Sequence, residues 1–321
     1  MIDPMSASRL RIILAEPYAD FAVQRLQAVG EVVQLQSADE KTVTDAIPGA
    51  DALLVRSNVR VTREMLAKAD RLKVIGRAGV GLELIDVEAA TEKGIQVVYT
   101  PEAATDAVAD LTVGMMIDLI RCVTTSDRMI RVGQFTEART LSLGRELSEM
   151  TLGVIGLGRI GFAVARRCHL GFGVTVVYND IVEPPSQNFP LTFLDKNRLY
   201  EKADIVSLHV PLTPATRHLI NEDALNRFRQ GAILINTARG GVVDSIALAE
   251  ALRTGRLAGA ALDVFDPEPL PMDHPLMSAP HTLFTPHIGA RTVGGLERMH
   301  NVVDDVIRVL KCQPPHYPAL G

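Results

Sequence analysis

Residues 151–180 read TLGVIGLGRIGFAVARRCHLGFGVTVVYND, and the rest of the chain can be placed from this stretch. An apolar run at 152–155 has the length and composition of a buried strand. It leads into Gly156, Leu157, Gly158, Arg159, Ile160 and Gly161, then into a helical pattern whose apolar side carries Phe162, Val164 and Ala165. A second apolar run, 174–178, ends just before Asp180, nineteen residues past Gly161. A glycine pattern of this kind is weak alone and informative between strand and helix with an acid about 20 residues on. Gly156 permits a tight turn, Gly158 leaves room for a pyrophosphate, and Gly161 lets the helix close on the strand. The helix N-terminus offers free N–H groups and a positive dipole end to phosphates. Asp180 falls where a ribose needs an acceptor, which separates this stretch from a plain strand–turn–helix.

Beyond it, further strands are expected at IVSL (205–208), AILIN (232–236), GAALD (259–263) and TLF (282–284), making residues 151–285 a six-stranded unit. Glu183, Pro184 and Pro185 interrupt the chain after Asp180. Before residue 100 the chain alternates in the same way. RIILA (11–15), EVVQL (31–35), ALLV (52–55), KVIG (73–76) and IQVV (95–98) read as strands. A helix is expected over 18–29 with Gly30 as its stop, and Asp86 is placed to cap a helix over 87–93 that Gly94 ends. Such alternation implies a parallel sheet with helices on both faces. A long helical segment, 106–121, separates the two sheets. Residues 131–148 read as irregular and polar, an arm or a partner-contacting loop. A last helix, 294–311, is ended by Pro314, Pro315 and Pro318.

The length of 321 residues suits two domains of ordinary size. A formal net charge of −5 argues against a nucleic-acid partner held through its phosphates, which wants a basic face. Cys122, Cys168 and Cys312 are far apart and form no CxxC, as in a reducing compartment. The longest apolar run, 111–123, is broken by Asp118 and Arg121 and falls short of membrane length. Residues 1–8 lack a charged-then-apolar signal pattern and read as a loose tail. The expectation is a cytoplasmic protein with no membrane or nucleic-acid partner and no metal.

Three later segments carry a family resemblance: INTARGGVVD (235–244), ALDVFDPEP (261–269) and TPHIGA (285–290). With 156–180, and with VRS (55–57), GRAGVG (76–81) and TP (100–101), the chain resembles the D-isomer-specific 2-hydroxyacid dehydrogenases over nearly its whole length. Within that family it looks most like 3-phosphoglycerate dehydrogenase without its regulatory domain, and like hydroxypyruvate or glyoxylate reductase. The resemblance implies an α/β fold of two doubly wound parallel-sheet domains. A Rossmann nucleotide domain, 105–290, would be inserted into a flavodoxin-like substrate domain, 1–104 plus 291–321, with the active site in the cleft between them.

It also implies roles. His287 matches the family's acid/base, since the alkoxide formed on reducing a 2-oxo acid needs a proton that imidazole can supply near neutral pH. Glu268 matches its carboxylate partner, which favours the protonated imidazole that reduction requires. Arg239 matches the substrate arginine, whose planar fork can grip a carboxylate in two places. Asp263 would hold the nicotinamide carboxamide. His209, Val210, Pro211, Thr216, Thr237, Ala238, Gly289 and Ala290 match positions lining NAD, as does Val80. Gly79, Val80 and Gly81 would present N–H groups to the substrate carboxylate. Arg56, Ser57 and Arg77 match substrate-side positions, and two arginines there would suit a phosphate.

Glu83-Leu84 stand where many relatives have Asp-Asn, Ala104 stands where many have Asn, and the chain has no Trp. These departures tilt the reading from a phosphorylated substrate toward hydroxypyruvate or glyoxylate. Asp180 without a nearby cation favours NAD over NADP, and Glu183 adds negative charge. The family's arm, matching residues 121–147, implies a homodimer. A dinucleotide-dependent binding protein on the same scaffold is the competing class, and Arg239, Glu268 and His287 together favour the enzyme. The Glu268–His287 pair, which fits 2-oxo acid chemistry, also makes a formate dehydrogenase the weaker enzymatic reading.

Overall fold

A computed structural model describes residues 9–141, 144–182 and 188–319. Two compact units divide the chain. One comprises the described residues up to Ala104 together with those from Arg291 onward; the other is Thr105–Ala290. The expected loose tail at 1–8 and the segment holding Glu183, Pro184 and Pro185 lie outside the described residues.

The first unit carries five parallel strands: β1 (Leu10–Leu14), β2 (Gly30–Gln34), β3 (Ala52–Val55), β4 (Val74–Arg77) and β5 (Gln96–Tyr99). Their order is β2-β1-β3-β4-β5, the flavodoxin-like doubly wound arrangement. Each strand is a short apolar run because helices cover both faces. The expected helix over 18–29 is shorter, Asp20–Gln27, and Gly30 is the first residue of β2 rather than a helix stop. A Cβ at Gly30 would lie 2.6 Å from the Leu10 carbonyl oxygen, so strand pairing claims the glycine. Asp86 does cap its helix, accepting from the Ala89 N–H at 2.8 Å.

The C-terminal segment returns to this unit. It is two helices rather than one, Val293–His300 and Val302–Leu310. In the second, Val302, Val303, Val306 and Leu310 are buried, the i, i+1, i+4, i+8 stripe of an amphipathic helix laid on a sheet. Gly76 of β4 has no side chain because a Cβ there would meet Val306 at 2.6 Å.

The second unit has seven parallel strands. They are β6 (Thr151–Ile155), β7 (Thr175–Asn179), β8 (Thr192–Phe193), β9 (Ile205–Leu208), β10 (Ala232–Asn236), β11 (Leu257–Leu262) and β12 (Thr282–Phe284). The order β12-β11-β10-β9-β6-β7-β8 reverses at β6, which is the Rossmann switch point. The seventh strand, β8, escapes a reading based on apolar runs because it is two exposed residues pairing only with the edge of β7. The helix Thr105–Arg121 packs along the helix Arg159–Phe172, and Arg167 joins them through Asp106 at 2.7 Å and Asp110 at 2.8 Å. The region expected to be irregular, 131–148, contains a short helix, Phe135–Ala138, and is preceded by another, Val123–Arg131, that ends where it begins. Neither buries a residue, so there was no core face to show in the pattern. No helix among the described residues is long and apolar enough to cross a membrane.

Candidate active site

The glycine loop follows β6 directly. Gly156 has φ +88°, open to glycine at no steric cost, and a Cβ there would sit 2.6 Å from the His209 carbonyl oxygen. A Cβ on Gly161 would fall 2.0 Å from the Gly156 oxygen, so the helix rests on the loop only because residue 161 has no side chain. Gly158, the N-cap of the helix Arg159–Phe172, has nothing within 4 Å of its Cβ position. The loop therefore presents open space at the N-terminus of this helix, where the positive end of the helix dipole lies. At the end of β7, the Asp180 carboxylate accepts from the Leu157 N–H and from the Val182 N–H at 3.1 Å. Ile181 and Val182 beside it are exposed. This edge can receive a nucleotide: N–H donors for phosphate, a carboxylate for ribose hydroxyls, and apolar surface alongside.

Just past the neighbouring strand β9, His209 donates its backbone N–H to the Ile155 carbonyl at 2.8 Å, and its Nε2 lies 2.8 Å from Ser207 Oγ. The ring keeps part of its surface but is otherwise packed, and burial pushes the imidazole down to about 3. Burial thus favours the neutral imidazole at His209, and Val210 packs beside the Gly156 turn. Thr216 organises the next turn, donating to the Pro211 carbonyl at 2.6 Å and accepting from the Thr213 N–H at 2.8 Å.

His287 and Glu268 meet. His287 Nδ1 is 3.0 Å from Glu268 Oε2, and Glu268 Oε1 accepts from the Phe265 N–H at 3.0 Å. A carboxylate can only accept, so Nδ1 carries the proton and Nε2 is left to take up or give one. Nε2 has no protein partner among the described residues. The side chains are 53% and 39% exposed, open enough for a substrate to reach. A pair so exposed contributes little to stability, so packing does not explain its geometry.

The His287 backbone is left-handed, with φ +52°. Asp263, at the end of β11 and 1% exposed, holds it there. The Asp263 carbonyl accepts the His287 N–H at 2.8 Å. Its carboxylate accepts the Ile288 N–H at 2.9 Å, the Gly289 N–H at 2.8 Å and the Thr285 hydroxyl at 2.5 Å. The sequence assigned Asp263 to the cofactor; in the structure its carboxylate is turned into the 285–289 loop that also carries Ala290.

Arg239 follows β10 in extended conformation, and its Nη1 donates to the Ala238 carbonyl at 2.7 Å. The next residue, Gly240, abuts the loop that carries Glu268, since a Cβ there would be 2.0 Å from the Phe265 carbonyl. The arginine and carboxylate loops are pressed together at this glycine. Thr237 is buried, its hydroxyl 2.9 Å from that of Thr112, which already donates to the Val108 carbonyl at 2.7 Å. Thr237 is then the donor of that pair, and its hydroxyl is engaged by the fold. Asn236, quoted in the motif but given no role by sequence reasoning, hydrogen-bonds both sides of the Ala238–Arg239 peptide. The signal was present: a lone amide ending a strand that is otherwise apolar and wholly buried.

In the first unit the loops after β3 and β4 carry the remaining candidates. Glu16, 4% exposed, was missed. Its carboxylate accepts from the N–H groups of Arg56 at 2.6 Å, Ser57 at 3.3 Å and Asn58 at 3.4 Å, and from Asn58 Nδ2 at 3.0 Å. Arg56 Nη1 donates to the Pro17 carbonyl at 2.9 Å. Arg77 folds back on its own loop, donating from Nε to the Gly81 carbonyl at 3.0 Å and from Nη1 to the Ala78 carbonyl at 2.5 Å. Gly79 is tied to Thr100 by its N–H, at 3.0 Å from Oγ1, and Val80 and Gly81 remain partly exposed. Arg77 therefore shapes the glycine loop, and Arg56 is the arginine with more of its donors uncommitted.

The family profile described as "D-isomer specific 2-hydroxyacid dehydrogenase, NAD binding domain" matches residues 113–289. The chain is 41% identical over 302 residues to D-3-phosphoglycerate dehydrogenase of Methanocaldococcus jannaschii, covering 93% of this chain and 57% of that protein. It thus spans little more than half that relative's length. It is 45% identical over 278 residues to glyoxylate reductase of Thermofilum pendens, covering 84% of this chain and 80% of that one. Among solved structures, the TT0316 protein of Thermus thermophilus superposes with a TM-score of 0.89 at 40% identity, covering 97% and 100% of the two chains.

Proposed function

The chain belongs to the D-isomer-specific 2-hydroxyacid dehydrogenase family, and from that premise we propose that it interconverts a small 2-oxo acid and its D-2-hydroxy acid with NAD. The observation that carries the reading is the His287–Glu268 pair, with Nδ1 engaged and Nε2 left open on the loop that Asp263 fixes. The bound nicotinamide supplies the hydride in reduction and receives it in oxidation. In reduction, His287 gives the proton from Nε2 to the substrate oxygen as that oxygen gains charge; in oxidation it takes the proton back. Glu268 keeps the ring oriented and favours its protonated form. Arg239 binds the substrate carboxylate and polarises the neighbouring carbonyl. Gly156, Gly158 and Gly161 with the start of the following helix take the pyrophosphate, and Asp180 takes the ribose.

Initial rates on a panel of 2-oxo acids with each reduced nicotinamide test this directly. Turnover is expected, faster with NADH, because Asp180 repels a 2′-phosphate and Ile181 and Val182 supply no cation for it. No turnover with any 2-oxo acid would remove the reading; equal efficiency with NADPH would remove only the cofactor preference.

Hydroxypyruvate or glyoxylate is the favoured substrate class, since Arg77 is engaged with its own loop and leaves Arg56 to face a phosphate. The competing 3-phosphohydroxypyruvate reading makes its own demand. Arg56→Ala should then lose about 2–4 kcal/mol of kcat/KM on the phosphorylated compound only, the scale for removing one partner of a buried charged pair. A loss shared equally with hydroxypyruvate would place Arg56 at the common carboxylate end or in the fold.

The protein is further proposed to act as a homodimer. Val123, Ile130, Val132 and Phe135 are exposed within thirteen residues of one another, on two helices that bury nothing and the turn between them. Clustered apolar surface of this kind marks an interaction site. Sedimentation should give twice the chain mass of 34.8 kDa at micromolar concentration; a species at the chain mass alone would refute it.

A further inference from the structure

We infer that Asn236 is a positioning residue of the active site, setting Arg239 through its side chain and the His287 loop through its backbone. The inference rests on the dehydrogenase reading and goes one layer beneath it. Asn236 is the last residue of β10, 1% exposed, after four buried apolar residues. A primary amide in such a strand is costly unless every group is bonded. Here its Oδ1 accepts the Ala238 N–H at 3.0 Å and its Nδ2 donates to the Arg239 carbonyl at 3.0 Å. The two bonds fix which end of the amide is which. They also bracket the Ala238–Arg239 peptide, so Asn236, together with the Val242 N–H that donates to the same Arg239 carbonyl at 3.2 Å, sets the point where the Arg239 side chain leaves the backbone. The chain has no regular structure between β10 and the short turn beginning at Gly240, so no ladder does this instead.

The backbone of the same residue reaches the other half of the chemistry. The Asn236 carbonyl accepts the Asp263 N–H at 2.9 Å. Asp263 in turn holds the 285–289 loop with its carboxylate. Arg239 and His287 are thus referenced to one residue, the first through an amide that substitution can remove and the second through a carbonyl that it cannot. That asymmetry makes a side-chain replacement selective for the arginine.

Asn236→Asp keeps an acceptor for Ala238 and sets a carboxylate against the Arg239 carbonyl in place of a donor. It is expected to lower kcat/KM for the preferred 2-oxo acid by about 10- to 100-fold, the range of a misplacement of about 1 Å near the chemistry. Most of the loss should fall on KM, and the affinity for oxamate on the NADH complex should fall in parallel. NADH affinity and melting temperature should stay close to wild type. In an Arg239→Ala background the same substitution should cost under about 3-fold, because two residues acting as a unit are not additive. If Asn236→Asp melts early, Asn236→Ser, which still accepts from Ala238, serves in its place. Losses that multiply across the double mutant, or a loss confined to kcat with oxamate binding intact, would overturn the inference. A wild-type protein that neither turns over a 2-oxo acid nor binds oxamate would instead overturn the dehydrogenase reading beneath it.

Discussion

Replacing His287 by alanine is expected to slow reduction of the 2-oxo acid by about 10²-fold or more, the usual scale for losing a general acid. Three features of the structure favour a large effect. The imidazole's Nδ1 is already held by Glu268 at 3.0 Å, so the ring reaches the substrate pre-oriented by its Nε2 side. Its loop, with the His287 backbone at φ +52°, is fixed by four hydrogen bonds to Asp263, so the ring starts from a set position. Another imidazole, His209, has its Nε2 at 2.8 Å from Ser207 Oγ, and burial lowers its pKa and so disfavours its protonated form. The fold should hardly notice, because the His287 side chain is half-exposed and stabilises no core. The decisive comparison sets steady-state reduction rates beside NADH affinity measured by fluorescence. A large fall in rate with unchanged NADH binding is the expected result. Turnover within about 3-fold of wild type would strip His287 of the acid/base role, since general acid–base catalysis rarely contributes so little.

The parts of this protein that were legible in its sequence are those where one physical demand acts on a contiguous stretch. Both sheets could be read because every strand except β8 is a short apolar run, and the Rossmann crossover because three glycines and an acid stand at a fixed spacing. Asp86 was legible as a cap because capping is a three-residue event. Elements whose partners are distant or absent were not. Gly30 looked like a helix stop, while the reason it is glycine lies across the sheet at Leu10. The helices Val123–Arg131 and Phe135–Ala138 bury nothing, so no buried stripe announced them. The site divides along the same line. His287, Glu268 and Arg239 came from the resemblance, and the structure brings the first two into contact. The residues that aim them, Asn236 and Asp263, and Glu16 behind Arg56, act by accepting N–H groups from loops. That work leaves no spacing to find. Asp263 has a role from the resemblance, a hold on the nicotinamide carboxamide, and its bonds to the His287 loop are a second one that no spacing announces.

The glycine loop offers the sharpest separation of folding from binding, because two of its glycines lack side chains for different reasons. A Cβ on Gly161 would lie 2.0 Å from the Gly156 carbonyl oxygen, and contacts under 3.0 Å are essentially never seen, so helix and loop must part by at least the difference, 1.0 Å. Forcing atoms into packed space costs about 1–3 kcal/mol, which for a domain of 150–250 residues is a fall of about 2–4 °C in Tm per kcal/mol. Gly161→Ala should therefore melt earlier and also bind NADH more weakly, since the N–H groups that would receive the pyrophosphate move with the helix. Gly158 is the opposite case. Its φ is −68° and its Cβ position meets nothing within 4 Å, so alanine fits the folded protein without strain. Such a replacement stabilises slightly, by about 0.4–1 kcal/mol, through the lost freedom of the unfolded chain. What Gly158→Ala should damage is the approach of the pyrophosphate to the backbone. NADH affinity is expected to fall tenfold or more, about 1.4 kcal/mol, with Tm level or raised. Calorimetric titration with NADH alongside thermal melts reads both quantities on both variants. If Gly158→Ala binds NADH as tightly as wild type, the space above that residue is not where the pyrophosphate lies, and the cofactor assignment of the loop fails even if Gly161→Ala behaves as described.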